Sequence, residues 1–553
     1  MRRSRIPVVV SLTAVFALLL TGTALAGVIG LPASGTQVNR DSANGINPRL
    51  NGGATDVAGG SLTAGATETP WITFEQKVAG GGQDIFVRSF NGTKWVTRGF
   101  PASLNIDPSA VAEAPAIDFA GPGRTVPWVT WYEPITQFKG RTNIFASRFC
   151  AAASSVCGAG NIWVREGQDR TAGKLIPSLN IHTTKDAEDP SVAGGTTAPG
   201  GNPGPWVTWR EEDGNIADSG NHFQIFVSKP VLNASSKAAC PPGTRPHGGN
   251  SVGFFCWQQV GLDRLAANDS FTNPHDPSLN IDPSRDGVVP DIAFTGPSDN
   301  VPWVVWYEEG NSHLGLRNNK QVFAAKGVAD PTGDGGFHWQ AVGARTAGKT
   351  EILDNSGAKQ FGDCSASKSN EAACSLNVVP TATAEDPRVA AGTLVAGNPT
   401  VPWVVWAEVV GGGKHAIFIA HLVTDHFELF NGGQPLSTTT RDASLPDITF
   451  LGNEPVVTWN EAFPGGHHRA FVGHFTGGAT SPAFVLDTPS GVPVPGTTTK
   501  ADVVDNRPSV SSTCQADPFT SDGSACPGGG AGFGFFSFTQ AGTPSKVFAE
   551  RLK

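Results

Sequence analysis

Pro302-Trp303-Val304-Val305-Trp306-Tyr307-Glu308 decides the fold, because the chain repeats it. The same frame returns at Pro127–Glu133, Pro205–Glu211 and Pro402–Glu408, and at Pro455–Glu461 with Val456 in place of the first Trp. Two weaker copies, Pro70–Gln76 and Gly534–Gln540, keep the register and bring the count to seven. A motif recurring from one end of a chain to the other marks a repeat architecture, in which each unit buries its apolar faces only against its neighbours.

Alternation along a strand puts Trp303, Val305 and Tyr307 on one face and Val304, Trp306 and Glu308 on the other. Both faces are mostly apolar, the pattern of a sheet packed between two other sheets. The 14 Trp all fall on this strand or on a later one of the repeat, which makes them candidate core. Further strand signals follow each copy. One carries a fixed aromatic: Phe86, Phe145, Phe226, Phe323, Phe418, Phe471 and Phe548. The next opens on Trp or Phe, and a Leu-Asn turn (Leu104-Asn105, Leu179-Asn180, Leu279-Asn280, Leu376-Asn377) leads into a short strand before the next copy.

Four short strands per repeat, separated by Gly, Pro, Asn and Asp, predict an all-β chain: a seven-bladed β-propeller of four-stranded antiparallel blades. The seventh copy ends at Lys553 without an outermost strand. The N-terminal stretch Val28-Ile29-Gly30 is expected to supply it and so complete the last blade, with Leu50-Asn51 read as the turn that follows.

Arg2, Arg3 and Arg5, the apolar run Ile6–Leu20 and Ala24-Leu25-Ala26 have the pattern of a secretory signal peptide over residues 1–26, leaving 27–553 as one propeller domain. The expected location is extracellular, the expected state a monomer, and no membrane span is foreseen. The full chain carries a formal charge of −9; without the three leader arginines, 36 Lys and Arg face 48 Asp and Glu, about −12. Such an acidic chain is unsuited to nucleic acid. The eight Cys form four close pairs, Cys150 with Cys157, Cys240 with Cys256, Cys364 with Cys374, and Cys514 with Cys526, read as local disulfides.

The Glu that closes the motif strand gives a series around the ring: Glu133, Glu211, Glu308, Glu408 and Glu461, with Gln76 and Gln540 at its ends. Two readings apply. The series forms a polar rim that binds a cation or a hydroxyl-rich ligand, or it repeats one blade-to-blade hydrogen bond. Residues that break the repeat on the same rim, Arg141, His222 and Arg317, complete the candidate binding set. No catalytic residue is assigned, since nucleophile elbows, zinc-binding helices and phosphate loops are all missing. No metal or cofactor is expected, although Asn105-Ile106-Asp107 and Asn280-Ile281-Asp282 offer oxygens suited to calcium.

Together, the Ile85-Phe86-Val87 strand, the Asn91-Gly92-Thr93-Lys94-Trp95 hairpin, the Leu-Asn turn and the Pro-Trp-Val-x-Trp-x-Glu strand resemble the repeat of secreted bacterial β-propeller proteins without an assigned activity. More distantly the chain is similar to sialidase-like and lectin-like propellers. The leading expectation is a non-catalytic binding or scaffold module for extracellular glycan or protein. The alternatives are an extracellular carbohydrate-active enzyme, a glycoside hydrolase or lyase with its site at the funnel mouth, and a purely structural envelope protein. Two unpaired carboxylates, or a carboxylate and a His, converging from different blades on a funnel-mouth pocket would favour the enzyme.

Overall fold

A computed structural model describes residues 28–552 apart from 31–36, 40–48, 100–102, 137–139, 153–159, 167–177, 182–183, 197–202, 214–221, 234–243, 246–253, 261–277, 283–284, 297, 311–318, 331–335, 346–373, 479–481, 494–499, 505, 514–523 and 526–530. Seven antiparallel sheets follow one another, each beginning with an innermost strand: Gly52–Gly60, Glu113–Ala120, Ala187–Gly195, Asp286–Thr295, Ala384–Gly392, Ala443–Leu451 and Ser509–Thr513. The motif strand is second in every blade and the fixed-Phe strand third. In the seventh blade the order runs from Ser509–Thr513 through Ala531–Gln540 and Lys546–Leu552 to Val28–Gly30, so the start of the chain closes the ring as expected. No helix among the described residues is long and apolar enough to cross a membrane.

The two faces of the motif strand pack as the alternation requires. Trp303, Val305 and Tyr307 join a cluster with Val404, Trp406 and Phe418 of the fifth blade. Val304 and Trp306 join Trp206, Ile225 and Val227 of the third. All 14 Trp are buried, at 5% exposure or less. Each fixed Phe lies directly across the ladder from the second aromatic of the motif, giving seven equivalent pairs from Phe74–Phe86 to Phe538–Phe548 with centroids 5.6–6.2 Å apart. Aromatic pairs of this kind add about 0.5–1.5 kcal/mol each beyond area burial. Close approach between blades also fixes some glycines. A Cβ on Gly60, Gly195 or Gly392 would stand 2.3, 2.1 and 2.1 Å from the ring of Phe119, Phe294 or Phe450 on the next blade.

The turn assignment at the start of the chain needs correction. In the first four blades the turn Asn accepts the N–H of the residue before the fixed Phe, as Asn105 does from Ile85 at 2.9 Å and Asn377 from Val322 at 2.9 Å, and in the fifth Ser437 accepts from Ile417 at 3.0 Å. The residue pair doing this beside Phe548 is Val38-Asn39, whose Asn accepts the Val547 N–H at 3.3 Å while the Val38 N–H donates to the Val547 carbonyl. Leu50-Asn51 lies further along, where the Leu50 carbonyl accepts from Gln76. The position calls for a side-chain acceptor, which Asn39 supplies as Ser437 does in the fifth blade, and the apolar partner is as well served by Val as by Leu. Cys150 and Cys374 are each disulfide-bonded. Cys157, Cys240, Cys364, Cys514 and Cys526 lie outside the described residues, so the proposed pairing remains an expectation.

Candidate functional site

The glutamate series is buried rather than displayed. Glu133, Glu211, Glu308, Glu408 and Glu461 are at most 1% exposed. Each accepts from the indole of the Trp two residues earlier on its own strand, as Glu308 does from Trp306 at 3.0 Å. Each also takes backbone N–H groups from the turn leading in from the preceding blade: Ile106 and Asp107 for Glu133, Ile181 for Glu211, Ile281 and Asp282 for Glu308, Val378 and Val379 for Glu408, and Thr438 for Glu461. Burial pushes the Glu133 carboxyl up to about 7. This bond pattern is that of a joint between blades.

Arg141 and His222, chosen as interruptions of the repeat, occupy one slot, four residues before the fixed Phe. Arg141 pairs with Asp186 and lies 3.8 Å from Glu212; His222 Nδ1 is 3.1 Å from Asp286 Oδ1. His467 fills the same slot against Asp502 at 2.7 Å. All three latch a third strand to the lead-in of the next inner strand. Arg317 lies outside the described residues. The side chains of Asn105 and Asn280, raised as calcium ligands, are taken up by backbone groups on both their oxygen and nitrogen atoms. Among the described residues no group of three His, Cys, Asp or Glu is arranged to hold a metal.

What converges instead lies on the axis. Six inner strands carry a register shift near their start, in five of them over a residue followed by Pro: Ala114-Pro115, Asp189-Pro190, Val289-Pro290, Asp386-Pro387 and Leu445-Pro446. The residue before each of these prolines has φ between 48 and 54°. Proline suits a position where the ladder lacks a donor, and the bulge re-aims the residue before it. A left-handed conformation at non-glycine residues is strained, and its fivefold recurrence means the closed ring enforces it.

These residues line a cavity of about 290 Å³ together with those just below them: Asp56, Ala116, Ser191, Asp291, Arg388 and Asp447. Asp56 Oδ1 accepts from Ser509 at 2.6 Å and Oδ2 from the Ile117 N–H at 2.8 Å. Asp291 accepts from Ser191 at 2.7 Å and from the Val389 N–H at 2.9 Å, and stands 3.2 Å from Arg388 Nη1. Asp447 Oδ2 accepts the Val510 N–H at 2.9 Å. The five Asp of the wall therefore come from blades one, three, four, five and six.

Burial dominates their chemistry. It pushes Asp56 to about 6, against the hydrogen bonds from Ser509 and Ile117. It pushes Asp386 to about 6, with repulsion from Glu385 adding to the effect. It carries Asp447 to about 7, opposed by Arg388 and assisted by Asp56 and Asp291. Near the cavity wall Arg210 bridges Glu188 at 2.5 Å and Asp189 at 3.0 Å, and the Tyr132 hydroxyl donates to Glu113 at 2.7 Å. Tyr132 and Tyr307, the two tyrosines of the chain, both feel Arg210, and burial raises the pKa of each phenol.

None of the axial residues was in the candidate set drawn from the sequence. The available signal was variation beside a constant frame, since the positions flanking the inner-strand Pro change from blade to blade while the Pro and the Ile or Val two residues after it do not.

No protein-family model matches the chain, and no curated protein matches it. Among solved structures it is similar to a mutant α-L-arabinofuranosidase of Fusarium graminearum in complex with an iminosugar inhibitor, at 12% identity and TM-score 0.37 over 81% of this chain and 96% of that one. It is also similar to an α-L-arabinanase of Penicillium chrysogenum complexed with arabinobiose, at 11% identity and TM-score 0.37 over 81% and 97%. An α-L-arabinofuranosidase of Lactobacillus brevis follows at 12% identity and TM-score 0.30 over 71% and 98%. At these scores the likeness says nothing of what this chain binds or does.

Proposed function

We propose that the chain is an extracellular carbohydrate-active enzyme of the glycoside hydrolase or lyase type, acting in the axial cavity. One observation carries this reading: carboxyl groups from different blades converge on a single cavity, and burial leaves some of them able to hold a proton near neutral pH. Hydrolysis of a glycosidic bond uses such a division of labour, with one carboxylic acid to protonate the leaving oxygen and a second carboxylate on the opposite side of the sugar to direct water or attack the anomeric carbon. Asp447 is assigned the first role. Asp291, held against Arg388, is assigned the second. The signal-like leader and the disulfides at Cys150 and Cys374 support an extracellular setting.

The test is release of reducing sugar from a panel of plant, fungal and bacterial polysaccharides. Asp447→Asn should lower the rate at least ~100-fold on any substrate that is cleaved. A panel with no turnover, or turnover indifferent to Asp447→Asn, would reject the assignment.

A second reading is a non-catalytic module that recognises glycan or protein. It is favoured by the bonds that Asp56, Asp291 and Asp447 make to neighbouring blades, which give these carboxylates a structural task. Glycan-array binding without turnover would select it.

A further inference from the structure

We infer that the axial cavity selects sugars bearing a carboxylate, that is, uronic acid units, through Arg507 assisted by Arg388. The inference deepens the glycan reading above and depends on it for the sugar, though not for catalysis. Both arginines line the cavity, Arg388 from the fifth blade and Arg507 from the seventh.

The hydrogen-bonding balance of the wall points this way. Its principal acceptors already have donors: Asp56 has Ser509 and Ile117, Asp291 has Ser191, Val389 and Arg388, and Asp447 has Val510. The surplus lies in donors. The Nε atoms of Arg388 and Arg507 are buried without a partner, and no ion pair is formed by Arg507 among the described residues. Buried donors left in this state call for an acceptor that the protein does not supply. A carboxylate meets the planar fork of a guanidinium with two oxygens, which a neutral hydroxymethyl group cannot do.

Packing does not require arginine at this position. The residue ahead of the inner-strand proline is Ala114, Val289 and Leu445 in three other blades, so this position of the repeat accepts a methyl, a β-branched or a longer aliphatic side chain, although Arg507 does not share their left-handed backbone. An arginine is therefore dispensable for the blade, and its charge is directed at whatever enters.

The experiment is calorimetric titration of the full chain with galacturonic acid and, separately, with galactose. The expected result is binding of the acid about 10-fold or more tighter than the neutral sugar. Arg507→Leu, which installs the side chain that the sixth blade already carries in this slot, should bring the two affinities together without weakening galactose, and Arg507→Lys should keep part of the preference. Equal affinities in the native chain, no binding of the acid, or a preference surviving Arg507→Leu would each overturn the inference. Circular dichroism confirms that the variants fold. Preference for the acid with no cleavage of any uronide would remove the enzyme and leave this selectivity standing; cleavage of neutral glycosides with no such preference would do the reverse.

Discussion

Ile29 lies opposite Arg551 in the outermost ladder of the last blade, flanked by Val28 opposite Leu552 and Gly30 opposite Glu550. Three residues from one end of the chain thus supply the edge that the other end lacks. Their removal leaves Lys546–Leu552 as an open edge with unpaired backbone groups. Deleting residues 28–30 should lower the melting temperature and promote concentration-dependent association, both read by scanning calorimetry and light scattering. The loss is on the order of 1 kcal/mol for each net backbone hydrogen bond removed. An unchanged melting temperature would show that the closure contributes nothing.

Glu308 serves three donors, the Ile281 and Asp282 N–H groups and the Trp306 indole. Glu308→Ala would strand all three in a buried seam, at about 1–3 kcal/mol for each donor left without water. The expected outcome is a large fall in melting temperature, with the ligand affinity of the remaining folded protein unchanged. Were the residue part of a binding rim, affinity would fall while the melting temperature held.

Stability should depend on pH in an unusual direction. Asp56 and Asp386 sit near 6, and Glu75, Glu133, Asp447 and Glu550 near 7, all raised by burial from ordinary values of 3.8 or 4.5. The folded chain therefore holds more protons than the unfolded one between about pH 4 and 7. The stability these groups contribute is complete below their unfolded values and is lost as the pH rises through 6 to 7. Asp107 and Asp442, lowered by their hydrogen bonds, act oppositely, and their contribution is lost only as the pH falls below the usual carboxylate range. The melting temperature should be higher at pH 5 than at pH 7.5, by ~2–5 °C. A curve rising toward neutrality would contradict the buried carboxyl values.

Asp447→Asn separates chemistry from folding. The amide keeps the shape of a carboxyl that the fold already prefers uncharged, so the melting temperature at pH 7.5 should hold or rise while turnover disappears. A joint loss of stability and activity would mean that the Val510 bond, not proton transfer, is what the residue provides.

Peptide mapping of the unreduced protein should find Cys150 joined to Cys157 and Cys374 to Cys364. Any other connectivity would disprove the local pairing inferred from spacing.

The fold was legible because it depends on repetition and alternation, and both are visible in a line of letters. The seven motif copies, the fixed Phe and the orphan strand at the N-terminus led directly to the ring. The turn beside Phe548 was misplaced because Asn39 follows Val38 rather than Leu, and its identity depends on a bond to Val547 more than 500 residues away. The site was harder for a related reason. Glu308 stands out in sequence because it recurs, and recurrence is what a joint requires. Arg141 and His222 looked individual only while their shared slot was hidden by loops of unequal length. Asp56, Asp291, Arg388 and Asp447 meet across the axis, and no local pattern reports a neighbour four blades away.

Because the bulge and its proline bring the preceding side chain to the axis whatever its chemistry, the ring behaves like a combination lock with interchangeable tumblers. Ala114, Asp189, Val289, Asp386 and Leu445 share one backbone geometry and differ in everything a visitor would notice. Descent with altered taste can then proceed one blade at a time, each new letter tried at the centre while the masonry around it stays put.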